Sequence, residues 1–359
     1  MVNLVIGAAA SGKSEYAEDI VMSLPGEKIY IATMEPFGAE AKERIARHRA
    51  LRAGKGFSTI ERPRDLIALT PGADWNMLIE DLPNLAANEL FSPEGGGVDA
   101  VLSGVDRICK IASSVTIVTG DIFSDGAEYD VGTKEYMGML ADLHMRIAAK
   151  ADNVVEVVCG MPCAVKGELP VNTVRYEAAE FEAAEFEAAE FETSGQDSCH
   201  KAGLQSAACD VEEKQNKLKL GDSSSDSVKE TPAPGKLHIY VTGPMASGKR
   251  DYVLNTLGIP ATEAAFEVQE LLREKIDPEV QELLREKPNM DVAALAEKLS
   301  GYQAITQTEV GAGVIPLSAS DREWREKAGR LACLLAARAD IVVRMVCGVP
   351  IMVKAQGDI

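Results

Sequence analysis

Lys13 and Ser14 are the residues whose types and spacing most directly specify chemistry, because they close the octet Gly7-Ala8-Ala9-Ala10-Ser11-Gly12-Lys13-Ser14. G-x-x-x-x-G-K-S after the apolar run Leu4-Val5-Ile6 reads as a strand, a phosphate-cradling loop and a helix start. Its glycines let consecutive N–H groups converge on phosphate oxygens, and the helix that follows adds its positive end. Lys13 would neutralise β- and γ-phosphate charge, and the Ser14 hydroxyl would hold Mg²⁺. Such chemistry also needs an acid at the end of a neighbouring strand, and Met77-Leu78-Ile79-Glu80-Asp81 offers two. Successive strand residues face opposite ways, so one of Glu80 and Asp81 is expected to serve the metal, with a plain acidic turn as the alternative. A basic stretch, Ala39 to Arg52, carries Lys42, Arg44, Arg47, His48, Arg49 and Arg52; on composition alone it is a solvated helix face.

The elements that must position these groups alternate between strand and helix. Glu15 to Leu24 reads as a helix closed by Pro25-Gly26, and Lys28 to Thr33 as a short buried strand. Val115 to Thr119 is another strand, followed by Gly120-Asp121 and a loop with Asp125, Glu128 and Asp130. The helix Glu135–Lys150 has Met139, Leu140, Leu143 and Ile147 at helical spacing, and its His144 reads as a helix-surface or core residue, not a ligand. Val154 to Val158 closes the unit, which ends at Lys166. The pattern is α/β, a mostly parallel P-loop NTPase-type sheet flanked by helices.

With 359 residues there is room for two domains. The net charge of −19 argues against a nucleic-acid surface, but residues 167–235 hold 15 acidic and 6 basic residues, so nearly half the acidity belongs to that segment. It contains three Glu-Ala-Ala-Glu-Phe copies whose period of five matches neither helix nor strand, which read as an acidic, partly helical spacer with a partner-docking segment as the alternative, then a Ser-, Asp- and Lys-rich run expected to be disordered. Seven cysteines without paired spacing, and a start that is not a charged region before an apolar core, fit a reducing, cytoplasmic setting. Cys159 and Cys163, four apart, read as buried free thiols, since a metal site would need further ligands there. No run is long enough to suggest a membrane span.

The opening pattern returns once. Leu237 to Val241 leads into Gly243-Pro244-Met245-Ala246-Ser247-Gly248-Lys249-Arg250, with Arg250 where Ser14 stood, so the hydroxyl for Mg²⁺ is gone. Ala151-Asp152 through Lys166 likewise matches Ala339-Asp340 through Lys354 at an offset of 188, whereas the loops are offset by 236. The second copy is therefore 48 residues shorter inside, and it reads as a non-catalytic partner. Amphipathic helices are expected over Glu267–Lys275 and Glu279–Lys287. Asp121 carried forward by 188 lands on Glu309, which opens the glycine-rich stretch Glu309-Val310-Gly311-Ala312-Gly313-Val314-Ile315-Pro316. The division expected is 1–166, a linker 167–235, and a degenerate duplicate 236–359.

Residues 1–166 resemble the bifunctional adenosylcobinamide kinase/adenosylcobinamide-phosphate guanylyltransferase family of cobalamin biosynthesis, and 236–354 look like a shortened form of it. The resemblance rests on Gly7 to Ser14, Tyr30-Ile31-Ala32-Thr33, Arg44-Ile45-Ala46-Arg47-His48-Arg49 with Arg52, Glu61-Arg62-Pro63, Leu78 to Asn88, and Ala151-Asp152 to Lys166. It implies that His48 attacks the α-phosphorus of GTP, expels pyrophosphate and carries GMP as a phosphoramidate, helped by arginines that lower its pKa and hold phosphate oxygens. It also implies a kinase step that moves the γ-phosphate of ATP or GTP to the primary alcohol of adenosylcobinamide, using Lys13, Ser14 and Glu80 with Mg²⁺. Thr33, Arg49, Arg52 and Glu61 would join Gly7 to Ser14 and Glu80 around the nucleotide. The implied partners are adenosylcobinamide, adenosylcobinamide phosphate and GTP, the product is adenosylcobinamide-GDP, and the assembly is a homo-oligomer or a pairing of the two copies. One departure is visible: where the family often has N-E-V-G-x-G-I-V-P, the first copy has Gly120-Asp121-Ile122-Phe123, and the second has the glycine-rich version. A kinase without transferase activity and a nucleotide-binding scaffold are the alternatives.

Overall fold

The apolar runs become strands buried on both faces, as parallel sheets require. A computed structural model describes residues 1–35, 54–124, 129–171, 237–272, 292–316 and 318–355. The stretch Ala39–Arg52 with His48, Arg49 and Arg52, Asp125 and Glu128, the Glu-Ala-Ala-Glu-Phe copies and the Glu279–Lys287 segment lie outside the described residues. Among those described, no helix is long and apolar enough to cross a membrane.

The first sheet holds β1 (Val2–Gly7), β2 (Glu27–Ala32), β3 (Ser58–Glu61), β4 (Trp75–Glu80), β5 (Ser114–Gly120), β6 (Asn153–Val158) and β7 (Met161–Lys166) in the order β3-β2-β4-β5-β1-β6-β7. All neighbours are parallel except the closing β6–β7 hairpin. Helix α1 (Lys13–Met22) covers one face with Ala17, Ile20 and Val21 against Val5, Leu78 and Val118. Helices α2 (Leu82–Phe91), α3 (Gly97–Ile111) and α4 (Val131–Lys150) cover the other, packing Leu85, Val105, Ile108 and Leu143 on Leu4, Ile79 and Ile117. Alternate strand residues thus enter opposite cores, the period of two expected for a strand. Helix α4 starts four residues before the expected Glu135, because Asp130 caps it by accepting the Thr133 N–H at 3.0 Å.

The second sheet repeats this plan with fewer strands: β8 (Ile239–Gly243), β9 (Ala264–Ala265), β10 (Ala304–Thr308), β11 (Ile341–Val346) and β12 (Val349–Lys354), in the order β12-β11-β8-β10-β9. Strands β9, β10, β8, β11 and β12 occupy the places of β4, β5, β1, β6 and β7, and nothing among the described residues stands for β2 and β3. Among the described residues its helices are the short α5 (Lys249–Asp251), continued by a π-turn over Tyr252–Thr256, then α6 (Val292–Leu299) and α7 (Ala319–Arg338). The helix expected from Glu267 differs: Glu267 has φ of +51°, and a 3₁₀ helix, Val268–Leu272, begins only after it.

Details recur at the sequence offsets. Asp152 accepts the Val2 N–H at 2.7 Å, and Asp340 accepts the His238 N–H at 2.7 Å. Both hairpins turn through Cys-Gly with positive φ, 50° and 85° at Cys159-Gly160, 50° and 82° at Cys347-Gly348. That pairing is the two-residue turn whose twist suits a hairpin.

Both sheets belong to one compact unit, residues 1–176 with 231–359. The first hairpin's Val158, Cys159 and Met161 sit in the second copy's core beside Tyr240, Leu331 and Leu335. Arg344 seals the junction by donating to Glu309 at 3.0 Å through Nε and again at 3.0 Å through Nη2, and to Glu156 at 2.8 Å. Arg344 and Glu156 are the same position of the repeat, 188 residues apart. The duplicate therefore meets its original through opposite charges at matching places.

Candidate active site

The loop after β1 turns into α1 through Gly12, whose φ of 87° is open to glycine at little cost. Ala10 also sits in the left-handed region, at φ 53°. Lys13 Nζ donates to the Ala8 carbonyl at 3.1 Å, so its ammonium lies across the loop. One turn on, Ser14 Oγ donates to Glu80 Oε1 at 2.7 Å. Glu80 Oε2 is buried without a hydrogen-bond partner. Burial, and then the neighbouring charge of Asp81, push the Glu80 carboxyl up to about 8, against the lowering effects of the Ser14 hydrogen bond and Lys13.

Glu80 and Asp81 meet different partners. Asp81 caps α2, its Oδ1 accepting from Asn84 N at 2.8 Å and Asn84 Nδ2 at 2.7 Å, so Glu80 is the acid that reaches the loop. Thr33 is fully buried and braces that acid from behind. Its hydroxyl lies 2.9 and 2.8 Å from the carbonyls of Glu80 and Asp81 and accepts the Asp81 N–H at 2.7 Å. Asn88, on α2, adds a tie that its residue type alone did not announce, donating to the carbonyls of Thr33 at 2.8 Å and Pro63 at 3.0 Å. Glu61 ends β3 on the exposed side, in register with Ala32. The structure thus brings Lys13, Ser14 and Glu80 to one point, with Thr33 behind them and Glu61 two strands over.

His144 is half-buried, between the helix-surface and core placements expected of it. Its Nε2 lies 2.6 Å from Thr119 Oγ1, its ring meets Phe123 edge-on, and burial holds its pKa down at about 4. Cys159 and Cys163 are both free thiols, but only Cys159 is buried as expected; Cys163 is half-buried because it lies on the edge strand β7.

The profile of the cobinamide kinase / cobinamide phosphate guanyltransferase family matches residues 3–165 and 267–353. The chain belongs to this family. Among curated relatives, the bifunctional adenosylcobalamin biosynthesis protein CobP of Pseudomonas aeruginosa is 27% identical over 172 residues, covering 47% of this chain and 99% of the relative. The bifunctional protein CobU of Salmonella typhimurium is 27% identical over 183 residues, 46% of this chain and all of the relative. CobU of Escherichia coli is 26% identical over 184 residues with the same coverage, 46% and 100%. The family description names two transferases, a kinase and a guanyltransferase, and a relative's full length fits within about half of this chain. The second segment of the family match, 267–353, falls within the duplicate.

Within that duplicate the arrangement of Lys13, Ser14 and Glu80 is rebuilt with other chemistry. Register makes the correspondence: Leu78 pairs Thr116 in the first sheet, and Ala264 pairs Ala304 in the second, so Phe266 stands at the place of Glu80 and Glu267 at that of Asp81. Lys249 Nζ donates to Pro244 O at 2.8 Å, the counterpart of Lys13 on Ala8, but it is also 3.7 Å from Glu267 Oε1. Burial draws the Lys249 pKa below its ordinary value despite Glu267 and Glu309. Arg250, in the place of Ser14, lies 4.5 Å over the Phe266 ring. A hydroxyl–carboxylate pair has become a cation–π pair.

Sequence matching alone missed Phe266 and Glu267. Carrying Leu78 to Ala264 needs an offset of 186, which neither the loops nor the hairpins show. The missing internal residues fall between loop and strand, so only sheet register reveals the partner.

Proposed function

We propose that the chain phosphorylates adenosylcobinamide with ATP or GTP and then transfers GMP from GTP to the adenosylcobinamide phosphate, through a guanylyl group carried on His48, giving adenosylcobinamide-GDP. The observation that carries the first step is the convergence of Lys13, Ser14 and Glu80, with Ser14 Oγ 2.7 Å from Glu80. The family and the names of its bifunctional relatives support both steps.

Mg²⁺ fits this point, since a hydroxyl and a carboxylate with one buried, unpartnered oxygen are the hard oxygen donors it takes alongside water and phosphate. Ser14 and Glu80 would hold it, and it would supply positive charge to the phosphates. Lys13 would exchange its Ala8 carbonyl for β- and γ-phosphate oxygens, while the loop N–H groups orient the chain of phosphates for in-line attack by the substrate alcohol. In the second step an imidazole nitrogen of His48 forms a bond to the α-phosphorus as the bond to the pyrophosphate oxygen breaks. A phosphate oxygen of adenosylcobinamide phosphate then takes the GMP, breaking the N–P bond and freeing His48. Arg49, Arg52, Thr33 and Glu61 complete the nucleotide surroundings in this reading, and residues 1–166, 167–235 and 236–359 are its catalytic part, spacer and partner. The free thiols suit a reducing cytoplasm.

The test is to incubate the full chain with Mg²⁺ and GTP labelled at the α-phosphate. An acid-labile label is expected on the wild-type chain and none on His48→Ala. Wild-type protein that forms cobinamide phosphate yet never acquires label would reduce the function to the kinase step.

A further inference from the structure

The nucleotide loop of the first copy is walled by the second. Ala9 N–H donates to the Gly311 carbonyl at 3.1 Å, and Cys333 Sγ lies 3.5 Å from the Ala10 carbonyl. Two glycines make the approach possible. A Cβ on Gly311 would fall 2.8 Å from both the N and the O of Ala9; one on Gly329, in α7, would fall 2.7 Å from Ala10 Cβ and from Ala9 O. Contacts under 3.0 Å are closer than packed carbons tolerate, so at both positions the loop would have to move. The stretch that bears Gly311 is itself anchored. The buried Arg325 donates to the Val314 and Gly313 carbonyls at 2.8 and 3.0 Å, Val314 N–H donates to Tyr129 Oη at 3.2 Å, and the Val314 side chain packs on the first copy's core.

The contact does not fold the loop. The second loop has the same shape, with Ala246 at φ 56°, while Met245 beside it is 83% exposed. What the wall adds is position: it touches Ala9 and Ala10 and so restricts where the loop can sit. A loop aimed at phosphate gains affinity when it is held in its binding shape beforehand.

We propose that Gly311 and Gly329 of the second copy are positioning residues for the nucleotide loop of the first, so that the duplicate, without binding nucleotide itself, sets the affinity of the catalytic site. This rests on the reading of Gly7 to Ser14 as the nucleotide site, and the experiment separates the two. Binding of N-methylanthraniloyl-GTP with Mg²⁺ to the full chain is followed by fluorescence for wild type, Lys13→Ala, Gly329→Ala and Gly329→Ala with Ala10→Gly, each with its unfolding midpoint. The expected result is loss of binding in Lys13→Ala, an affinity about tenfold weaker in Gly329→Ala, and recovery of several-fold when Ala10→Gly removes the opposing methyl. If Lys13→Ala binds like wild type, the loop is not the nucleotide site and the proposal falls with that reading. If Lys13→Ala loses binding while Gly329→Ala stays within about twofold of wild type, the proposal alone is overturned. A loss in Gly329→Ala that follows a lowered unfolding midpoint and that Ala10→Gly does not relieve overturns it too, since the damage is then not at the loop.

Discussion

The two glycine-lysine loops share a backbone and differ in what completes them. Each follows a central strand, places an alanine in the left-handed region, and lays its lysine on a loop carbonyl: Lys13 on Ala8 at 3.1 Å, Lys249 on Pro244 at 2.8 Å. In the first, a serine faces a carboxyl with a spare oxygen. In the second, an arginine covers a phenylalanine, and the lysine has an anion of its own in Glu267. A phosphate loop is therefore not a phosphate site by its shape. The shape is cheap to inherit; the charge balance at its mouth decides whether a nucleotide has anything to neutralise.

The largest effect follows directly. Lys13→Met and Glu80→Gln should each lower phosphoryl transfer by roughly a hundredfold or more, because the first removes positive charge from the phosphates and the second removes a group that would hold the Mg²⁺ supplying it. Lys249→Met should leave the rate within about twofold, since its charge is already answered inside the protein. Calorimetric titration should find one nucleotide per chain in wild type and Lys249→Met. Two nucleotides per chain, or equal damage from both lysine variants, would erase the distinction.

A second contrast lies in the cores. Thr119 and His144 form a buried polar pair in the first copy; the matching positions at offset 188 are Gln307 and Ala332, where Gln307 Nε2 donates to the Ala328 carbonyl at 2.7 Å and nothing titrates. His144 has a folded pKa of about 4 against an ordinary 6.5, chiefly through burial. The unfolded chain therefore binds the extra proton first. Stability is fully present above the ordinary value and declines as pH falls through the window toward the folded one, by roughly 2–3 kcal/mol in all. His144→Asn should flatten that decline in denaturant melts between these limits, whatever it costs at neutral pH. An unchanged slope would show that His144 is not what makes the first copy acid-sensitive.

How far such contrasts can be read in advance depends on where the physics is local. Gly12 at a helix start, the alternation that buries Leu4 and Val5 on opposite faces, and the helical spacing of Met139 to Ile147 are set by nearby residues, and all were legible. Helix α3 was missed, although Val98, Val101, Leu102, Val105 and Ile108 keep helical spacing, because no chemistry draws the eye to it. Glu80 rather than Asp81 was half legible: alternation said one of them, and only the capping bonds to Asn84 said which. Phe266 and Glu267 were not, because a two-residue strand has no period and its role comes from its register with β10. The wall made by Gly311 and Gly329 depends on two sheets meeting, which no local pattern encodes.

The smallest effect tests the repeat where it is most faithful. Lys166 Nζ donates to the carbonyls of Ala148, Ala149 and Ala151 at 2.9, 3.1 and 2.6 Å, closing the C-terminus of α4. Lys354 does the same for α7 at Ala336, Ala337 and Ala339, at 3.5, 3.1 and 2.7 Å. A cation there answers carbonyls that have no partner within the helix and the negative end of its dipole. The surroundings differ: Lys166 is exposed, whereas Lys354 is only 9% exposed and burial draws its pKa below the ordinary value. Water can replace the lost donor at α4 but reaches α7 poorly. Lys166→Met should therefore cost about 0.5 kcal/mol or less and Lys354→Met about 1–2 kcal/mol in denaturant melts. Equal costs would mean that the two helix ends are equally wet and that the duplicate has kept the capping lysine without burying it to any effect.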